Sequence, residues 1–197
     1  PNKVNQDFKP GESRDLSGQS LKVTWDFDSG SRFVSITSKR DTDFILKADD
    51  DATPAFLSHS TFSDKSEMFT QEFRFESTEN DTFDYLAGLY YQDSDASADR
   101  STLIGTPPPL IGSTNGAGFL VGSAGCLCSQ SSVETESLGV FVSGNYRFTD
   151  EITLALGLRY TKEDKSLIFD QTNTTFTAHP NVTAQPSLSD SGVSGNM

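Results

Sequence analysis

The sequence contains few of the features that identify most functional classes. Its 197 residues include two cysteines, two histidines and one tryptophan, and they contain no long apolar run. We therefore expect no transmembrane helix, because such a helix needs about 20 consecutive apolar residues. Basic residues are also scarce: 15 Lys and Arg against 28 Asp and Glu give a net charge of -13. This charge argues against a nucleic-acid partner, whose phosphates need cationic contacts.

The sequence also lacks a recognisable catalytic or metal-binding constellation. Cys126 and Cys128 form a CxC pair, and His59 and His179 are remote from them in the chain, so we expect no metal site. A labile surface disulfide and two free thiols both remain open for the cysteines. The aspartates lack the spacing of a calcium-binding loop and are predicted to lie in solvated acidic loops; they are Asp49, Asp50, Asp51, Asp93, Asp95 and Asp99. We expect no enzyme activity and no cofactor.

What the sequence does contain is apolar and polar residues in alternation, which predicts β-strands. Leu154, Leu156, Leu158 and Tyr160 form one such series. Strand signals occur in six segments, which are residues 20–27, 32–44, 68–77, 83–92, 137–148 and 152–161. The connections between them alternate between a few residues and two dozen or more. Outer-membrane barrels have short turns at one end and long loops at the other, whereas soluble sandwiches vary their loops at both ends.

The apolar face of these strands can pack against a protein core or face lipid. Most of the segments can reach the 9 to 11 residues of a membrane strand, longer than the usual strand in soluble proteins. Tyr and Trp near the strand ends suit a membrane–water interface. The opposite face carries Glu72, Arg74 and Arg159, which would line a wet lumen, and Arg159 is expected to have a carboxylate nearby. We predict an all-β antiparallel meander of about six long strands, part of a transmembrane β-barrel. The alternative is a soluble β-sandwich adhesin or carbohydrate-binding domain.

Three stretches resemble the barrel of TonB-dependent outer-membrane receptors. The run FTQEFRFES with FDYLAGLYYQD is similar to the family's "QE-x-R-x-S" strand and the "W/Y-x-x-G-x-Y/F-Y" strand that follows it. The run ESLGVFVSGNYRFTDEITLALGLRYTKEDKS is similar to a family hairpin, and LKVTWDFDSGSRFVSITSKRDTDF to a strand pair ending in "S-I-T-a-Y-R". In the last stretch Lys39 replaces the usual aromatic residue. The matching positions are Ser35, Ile36, Thr37, Arg40, Gln71, Glu72, Arg74, Ser77, Tyr85, Gly88, Leu89, Tyr90, Tyr91, Phe141, Tyr146, Thr149, Asp150, Gly157, Arg159 and Tyr160.

The resemblance implies active uptake of a scarce, bulky ligand such as a ferric siderophore, cobalamin or a glycan. It also implies outer-membrane lipid and the TonB energy-coupling complex as partners, the latter through a plug and TonB box that we do not find here. The polar N-terminus shows no signal peptide, and we expect an internal piece of a longer protein. The expected organisation is a polar segment over 1–17, a partial barrel over 18–165 with external loops 45–66 and 93–135, and a poorly ordered polar loop over 166–197.

Overall fold

The computed structural model describes residues 6–78, 80–105, 113–114, 120–121, 125–174 and 180–196. Ten β-strands account for most of these residues. They are β1 (Gly11–Asp26), β2 (Arg32–Asp49), β3 (Ser58–Glu76), β4 (Phe83–Ile104), β5 (Ser113–Thr114), β6 (Leu120–Val121), β7 (Gly125–Arg147), β8 (Thr153–Asn173), β9 (Val182–Ala184) and β10 (Ser187–Asn196). The described part of the chain contains no helix that is long and apolar enough to cross a membrane.

The long strands form one antiparallel meander. The sheet order is β1-β2-β3-β4-β7-β8-β10, and β9 pairs with β8 beside β10, which gives eight strands; β5 and β6 pair separately. Short turns join β1 to β2, β3 to β4 and β7 to β8 at one end of the sheet. In the first of them Gly30 has a φ of 84°, which a residue without a Cβ adopts at no steric cost. The prediction of an all-β antiparallel meander of long strands is confirmed.

The strands extend well beyond the predicted segments. β2 continues to Asp49 and β3 begins at Ser58, so the loop predicted over 45–66 shortens to 50–57. Likewise β4 runs to Ile104 and β7 begins at Gly125, which corrects the loop predicted over 93–135. The added strand residues were missed because most of them are polar on both faces, so they show no sustained alternation of apolar and polar residues. Residues 106–112, 115–119 and 122–124 of that predicted loop lie outside the described residues.

The two chain ends are corrected in the same way. β1 begins at Gly11 within the polar segment 1–17, and much of the expected loop 166–197 is strand. β8 continues to Asn173, and β10 pairs with β8 from Ser187 opposite Ser166 to Asn196 opposite Gly157. β10 is rich in Ser and Gly, so backbone pairing rather than an apolar pattern defines it. Residues 175–179, which include His179, are outside the described residues.

The register assigns the side chains to two faces, because directly paired residues of adjacent strands point to the same side. One face, the apolar face, carries a continuous band of large hydrophobic residues across β1, β3, β4, β7, β8 and β10. Its members include Val23, Trp25, Phe73, Phe75, Leu89, Val140, Val142, Leu156, Leu158, Tyr160 and Val193. The other face, the polar face, carries most of the charge at the same level.

The apolar face is exposed, and no second layer of the described chain covers it. Leu154, Leu156, Leu158, Val140 and Val142 are each between 42% and 55% exposed. Val34, at 3%, is the one buried hydrophobic residue among the described positions. A β-sandwich would bury this face against a second sheet, so the sandwich alternative does not describe this fold.

Candidate functional site

The polar face brings Glu72 and Arg74 together on β3. Two residues apart on a strand, they share a face, and the Arg74 Nε donates to Glu72 Oε1. Arg32 makes a similar pair with Asp26 one row closer to the short turns, with 2.6 Å between Arg32 Nε and Asp26 Oδ1. Neighbouring charges of opposite sign thus run along this face. Two of the three predicted polar-face candidates therefore form one ion pair.

Arg159 lies elsewhere on the same face and contacts different groups. Its guanidinium carbon is 5.7 Å from the centroid of the Tyr90 ring and 5.8 Å from that of Phe141. Its Nε donates to Thr161 Oγ1 at 3.0 Å. Arg159 and Arg74 occupy the same row three strands apart, which is about 14 Å at the usual strand spacing. The structure therefore does not bring the three candidates together.

The prediction that Arg159 has a carboxylate nearby is wrong for the described residues. β7, beside it, contributes Phe141 and Gly139 at this level, and neither offers a carboxylate. A Cβ built on Gly139 would lie 2.8 Å from the guanidinium, so the absence of a side chain there leaves room for Arg159. Aromatic rings can hold a cation through their negative faces. The positive charge of Arg159 is held this way rather than neutralised.

Tyr90 and Phe141 are site residues that the alternation pattern did not single out. Phe141 can lie flat on the sheet because its register partner is Gly88. A Cβ on Gly88 would come within 2.3 Å of the Phe141 ring and 2.7 Å of the Phe73 carbonyl oxygen. The feature of the sequence that could have indicated this pair is Gly88, the glycine of the Tyr85–Tyr91 stretch, together with an aromatic residue in the next strand segment, residues 137–148.

Polar side chains within the apolar face satisfy one another. Thr37 Oγ1 donates to Gln71 Oε1 at 2.6 Å, and Gln71 Nε2 donates to Ser35 Oγ at 3.0 Å. Each of these groups would otherwise be costly in an apolar environment. All three residues belong to the quoted sequence motifs, so the motif positions correspond to a bonded cluster that links β2 to β3.

The upper limit of the apolar band is marked by charge. Lys39, which stands where the resembling sequences have an aromatic residue, has its Nζ 3.3 Å from both Asp41 Oδ1 and Glu67 Oε2. On the same face and within two residues of this level, β4, β7 and β8 contribute further charged residues, which are Asp93, Asp95, Glu134, Glu136, Lys162 and Asp164. These side chains need water, so the band ends here.

An aromatic belt marks the other limit, at the short turns. Four rings follow one another with centroid separations of 6.2 to 6.4 Å, from β1 and the turn after it to β3 and β4; they are Trp25, Phe27, Phe75 and Tyr85. Tyr146, near the end of β7, and Phe148, just after that strand, add an edge-to-face pair at 4.7 Å. Such belts are typical of the interface between hydrocarbon and water.

The connection 50–57 at the opposite end is organised by Asp51. Its Oδ1 accepts from the Thr53 backbone N–H at 2.9 Å and its Oδ2 from those of Leu57 and Ser58, at 3.2 and 2.9 Å. The Thr53 hydroxyl also donates to Oδ1, and this bond, followed by the backbone donors, lowers the pKa of the Asp51 carboxyl below its usual value. The carboxylate is therefore the fixed centre of this loop.

This end of the sheet also contains the cysteine pair and a cluster of side chains that could bind a metal ion. Cys126 and Cys128 are joined in a disulfide across a Cα separation of 5.5 Å. Within the described residues, one cluster has metal-ligand chemistry: Asp7, Asp49 and His59 place their ligand-type atoms within 4.8 Å of one another. This cluster could not be predicted from the sequence, because His59 and Asp7 are 52 residues apart in the chain.

Comparison with known proteins agrees with this geometry. Residues 3–196 match the family model described as TonB dependent receptor-like, beta-barrel. Among solved structures, the chain is similar to the ferric yersiniabactin uptake receptor FyuA from Yersinia pestis, with a TM-score of 0.73 and 16% sequence identity. That match covers 94% of this chain and 25% of the FyuA chain, so the chain spans about a quarter of that receptor's length. No curated protein matches the chain by sequence.

Proposed function

Because the chain belongs to the TonB-dependent receptor β-barrel family, we propose that it forms part of the wall of a bacterial outer-membrane transport receptor. The receptor would import a scarce, bulky ligand, which is a ferric siderophore, cobalamin or a glycan, with energy from the inner membrane. The observation that carries this proposal is the exposed apolar band on one face of a single-layer sheet, with charge on the other.

The height of the band fits a bilayer. Along β8 it extends from Ile152, beside the short turn, to the level of Lys162, ten residues or about 33 Å along a strand. At the tilt of 35–45° that is usual for membrane barrels, this length spans about 25 Å of membrane. In this arrangement Glu72, Arg74 and Arg159 face the lumen, and Tyr160 lies near one interface.

The open edges of the sheet support a larger parent barrel. β1 and β10 are the two edge strands, and each has one pairing side without a strand partner in the described sheet. Unpaired backbone groups in hydrocarbon cost several kcal/mol each, so membrane sheets close into barrels. We place the remaining strands, the plug and the segment that contacts the energy-coupling protein in other parts of the parent protein.

Ligand capture belongs at the end with the long connections. Beyond the band, β2, β3, β4, β7 and β8 continue for about ten further residues, roughly 35 Å along the strand. Most residues on both faces there are polar, which suits strands that rise into water outside the cell. As a member of this family, the receptor would act by binding and transport rather than as an enzyme.

Growth of a receptor-deficient strain carrying the full-length gene tests this function. Candidate ferric complexes, cobalamin and glycans would each be supplied as the limiting nutrient, with and without the energy-coupling protein. We expect rescue on one of these ligands that disappears when the coupling protein is absent. Uptake that persists without the coupling protein would contradict active transport. The barrel itself is tested separately by heat-modifiable migration of the purified receptor in detergent.

A further inference from the structure

The segment before β1 meets the adjoining ends of β2 and β3 at the end with the long connections. Asp7 precedes β1, Asp49 is the last residue of β2, and His59 lies at the start of β3, paired in register with Asp49. His59 Nε2 is 3.0 Å from Asp7 Oδ1, and the ligand-type atoms of all three residues lie within 4.8 Å of one another. The cluster is therefore compact, although it is assembled from separate segments.

His59 is held rigidly in this cluster. Its ring stacks on Phe8 with a centroid separation of 4.3 Å, and Phe56 lies at 4.6 Å on a tilted plane. The His59 side chain is 12% exposed. An imidazole in contact with two aromatic rings has little freedom to turn, and the Nε2 of His59 faces Asp7 Oδ1. This is the preorganisation that a ligand site requires.

The surroundings of Asp49 also favour a bound cation. Its Oδ1 accepts from the Ala52 backbone N–H at 2.8 Å, whereas its Oδ2 is buried and has no hydrogen-bond donor among the described residues. The adjacent aspartates differ: Asp50 accepts from the Ser58 and Ser60 hydroxyls, and Asp51 holds the loop 50–57 together. A buried carboxylate oxygen without a partner is costly, and a bound cation removes that cost.

We propose that Asp7, Asp49 and His59 form a binding site for a divalent first-row transition metal, with Zn²⁺ as the representative ion. An imidazole with two carboxylates suits zinc and its neighbours, whereas calcium and magnesium prefer oxygen ligands alone. Ligands at about 2.0 to 2.2 Å from a tetrahedral ion lie about 3.3 to 3.6 Å from one another, which the compact cluster reaches with small side-chain shifts.

The metal would fasten the segment before β1 onto the β2–β3 connection. Asp7 and Phe8 belong to that segment, while Asp49 and His59 flank the connection and Phe56 lies within it. The site lies in register with the apolar face but far above the band, so it is not on a path through the lumen. Its role is to fix the geometry of the end where ligands are captured, and it does not depend on which ligand the receptor imports.

Isothermal titration of the purified full-length receptor with Zn²⁺ tests this site. The Cys126–Cys128 disulfide is kept oxidised, because free thiols would bind zinc themselves. We expect one site in the wild type, with binding weakened at least about tenfold in Asp49→Asn and His59→Gln. Asp50→Asn is the matched control: it removes the same charge one residue away, and its amide oxygen can still accept from both serine hydroxyls. This control should bind zinc as the wild type does.

Two results would overturn the proposal. One is wild-type affinity in both Asp49→Asn and His59→Gln; the other is an equal loss in Asp50→Asn, which would indicate diffuse attraction to acidic residues. If Asp49→Asn or His59→Gln fails to fold, Asp7→Asn provides the same titration test, because Asp7 lies outside the sheet.

A second readout is proteolysis of residues 6–10, which Zn²⁺ should slow in the wild type and leave unchanged in His59→Gln. Cleavage unaffected by Zn²⁺ in the wild type would refute the fastening role.

Discussion

At the scale of single residues, the polar face is shaped by the absence of side chains as much as by charge. Gly88 lies under the Phe141 ring, and this arrangement lets Phe141 and Tyr90 flank Arg159. We expect Gly88→Ala to destabilise the receptor by about 1–3 kcal/mol, because the added methyl meets a ring and a backbone carbonyl that cannot both move. Guanidinium unfolding of the full-length receptor in detergent micelles measures the effect.

Gly192→Ala provides the control for this substitution. Gly192 also lies in a strand, β10, but a Cβ there meets nothing within 4 Å. The same change should therefore be close to neutral. Equal destabilisation by the two variants would mean that glycine backbone freedom, rather than the contact with Phe141, determines the outcome.

The Asp51 carboxylate should make the 50–57 connection sensitive to acid. Its hydrogen bonds lower the pKa of this group in the folded state, so the carboxylate stabilises the loop fully above the unfolded pKa of about 3.9. That contribution is lost as the pH falls through the lower, folded pKa. Protection factors for the Leu57 and Ser58 amides should therefore drop between pH 5 and pH 2, as measured by hydrogen exchange. The step should vanish in Asp51→Asn; an identical step in that variant would assign it to another group.

Alternation in the sequence placed residues on faces but did not identify their partners. It assigned Glu72, Arg74 and Arg159 to the polar face, and the register agrees. The environment of Arg159 could not be predicted, because it depends on which β4 and β7 residues lie opposite β8. That register is fixed by long-range pairing and turn geometry. The cluster of Asp7, Asp49 and His59 was missed for the same reason.

At the scale of the strands, the sequence indicated where each strand meets an apolar environment rather than where it ends. On β8 the alternation predicted residues 152–161, but the strand runs from Thr153 to Asn173. The outer half has polar residues on both faces and carries no periodic signal. Its existence follows from continuous pairing with β7, from Arg147–Thr153 to Leu127–Asn173. Strand length was therefore underestimated wherever the chain leaves the apolar band.

Arginine substitutions on β8 distinguish the half of the strand within the apolar band from its outer half. Leu158→Arg should destabilise the receptor by about 2–4 kcal/mol, because Leu158 lies within the band on the apolar face and a charge there would face hydrocarbon. Ile168→Arg is the matched control on the same strand and face: Ile168 is also exposed, but it lies above the band, and we expect a cost of at most about 1 kcal/mol. Unfolding of both variants in lipid vesicles provides the comparison. Similar costs at the two positions would place the boundary of the membrane elsewhere.

At the scale of the whole molecule, the rhythm of short and long connections was the most informative feature of the sequence. It predicted a meander with all its tight turns at one end, and the sheet has that arrangement. The pairing of β10 with β8 was not predictable, because a run of Ser, Gly and Asp gives no strand pattern. The exposed apolar band and the charged opposite face are the features expected of the wall of a membrane barrel.

The most direct test of this account is a spin-label accessibility scan along β8 in the full-length receptor, reconstituted in lipid vesicles. With Cys126 and Cys128 replaced by serine, a single label is placed at each position from 153 to 169. Oxygen, which partitions into lipid, should collide most with labels at 154, 156, 158 and 160, and a water-soluble nickel complex with those between them. From about 164 onward the nickel complex should dominate at every position. Accessibility without a period of two, or oxygen access continuing beyond 164, would contradict a membrane-spanning strand that rises into water.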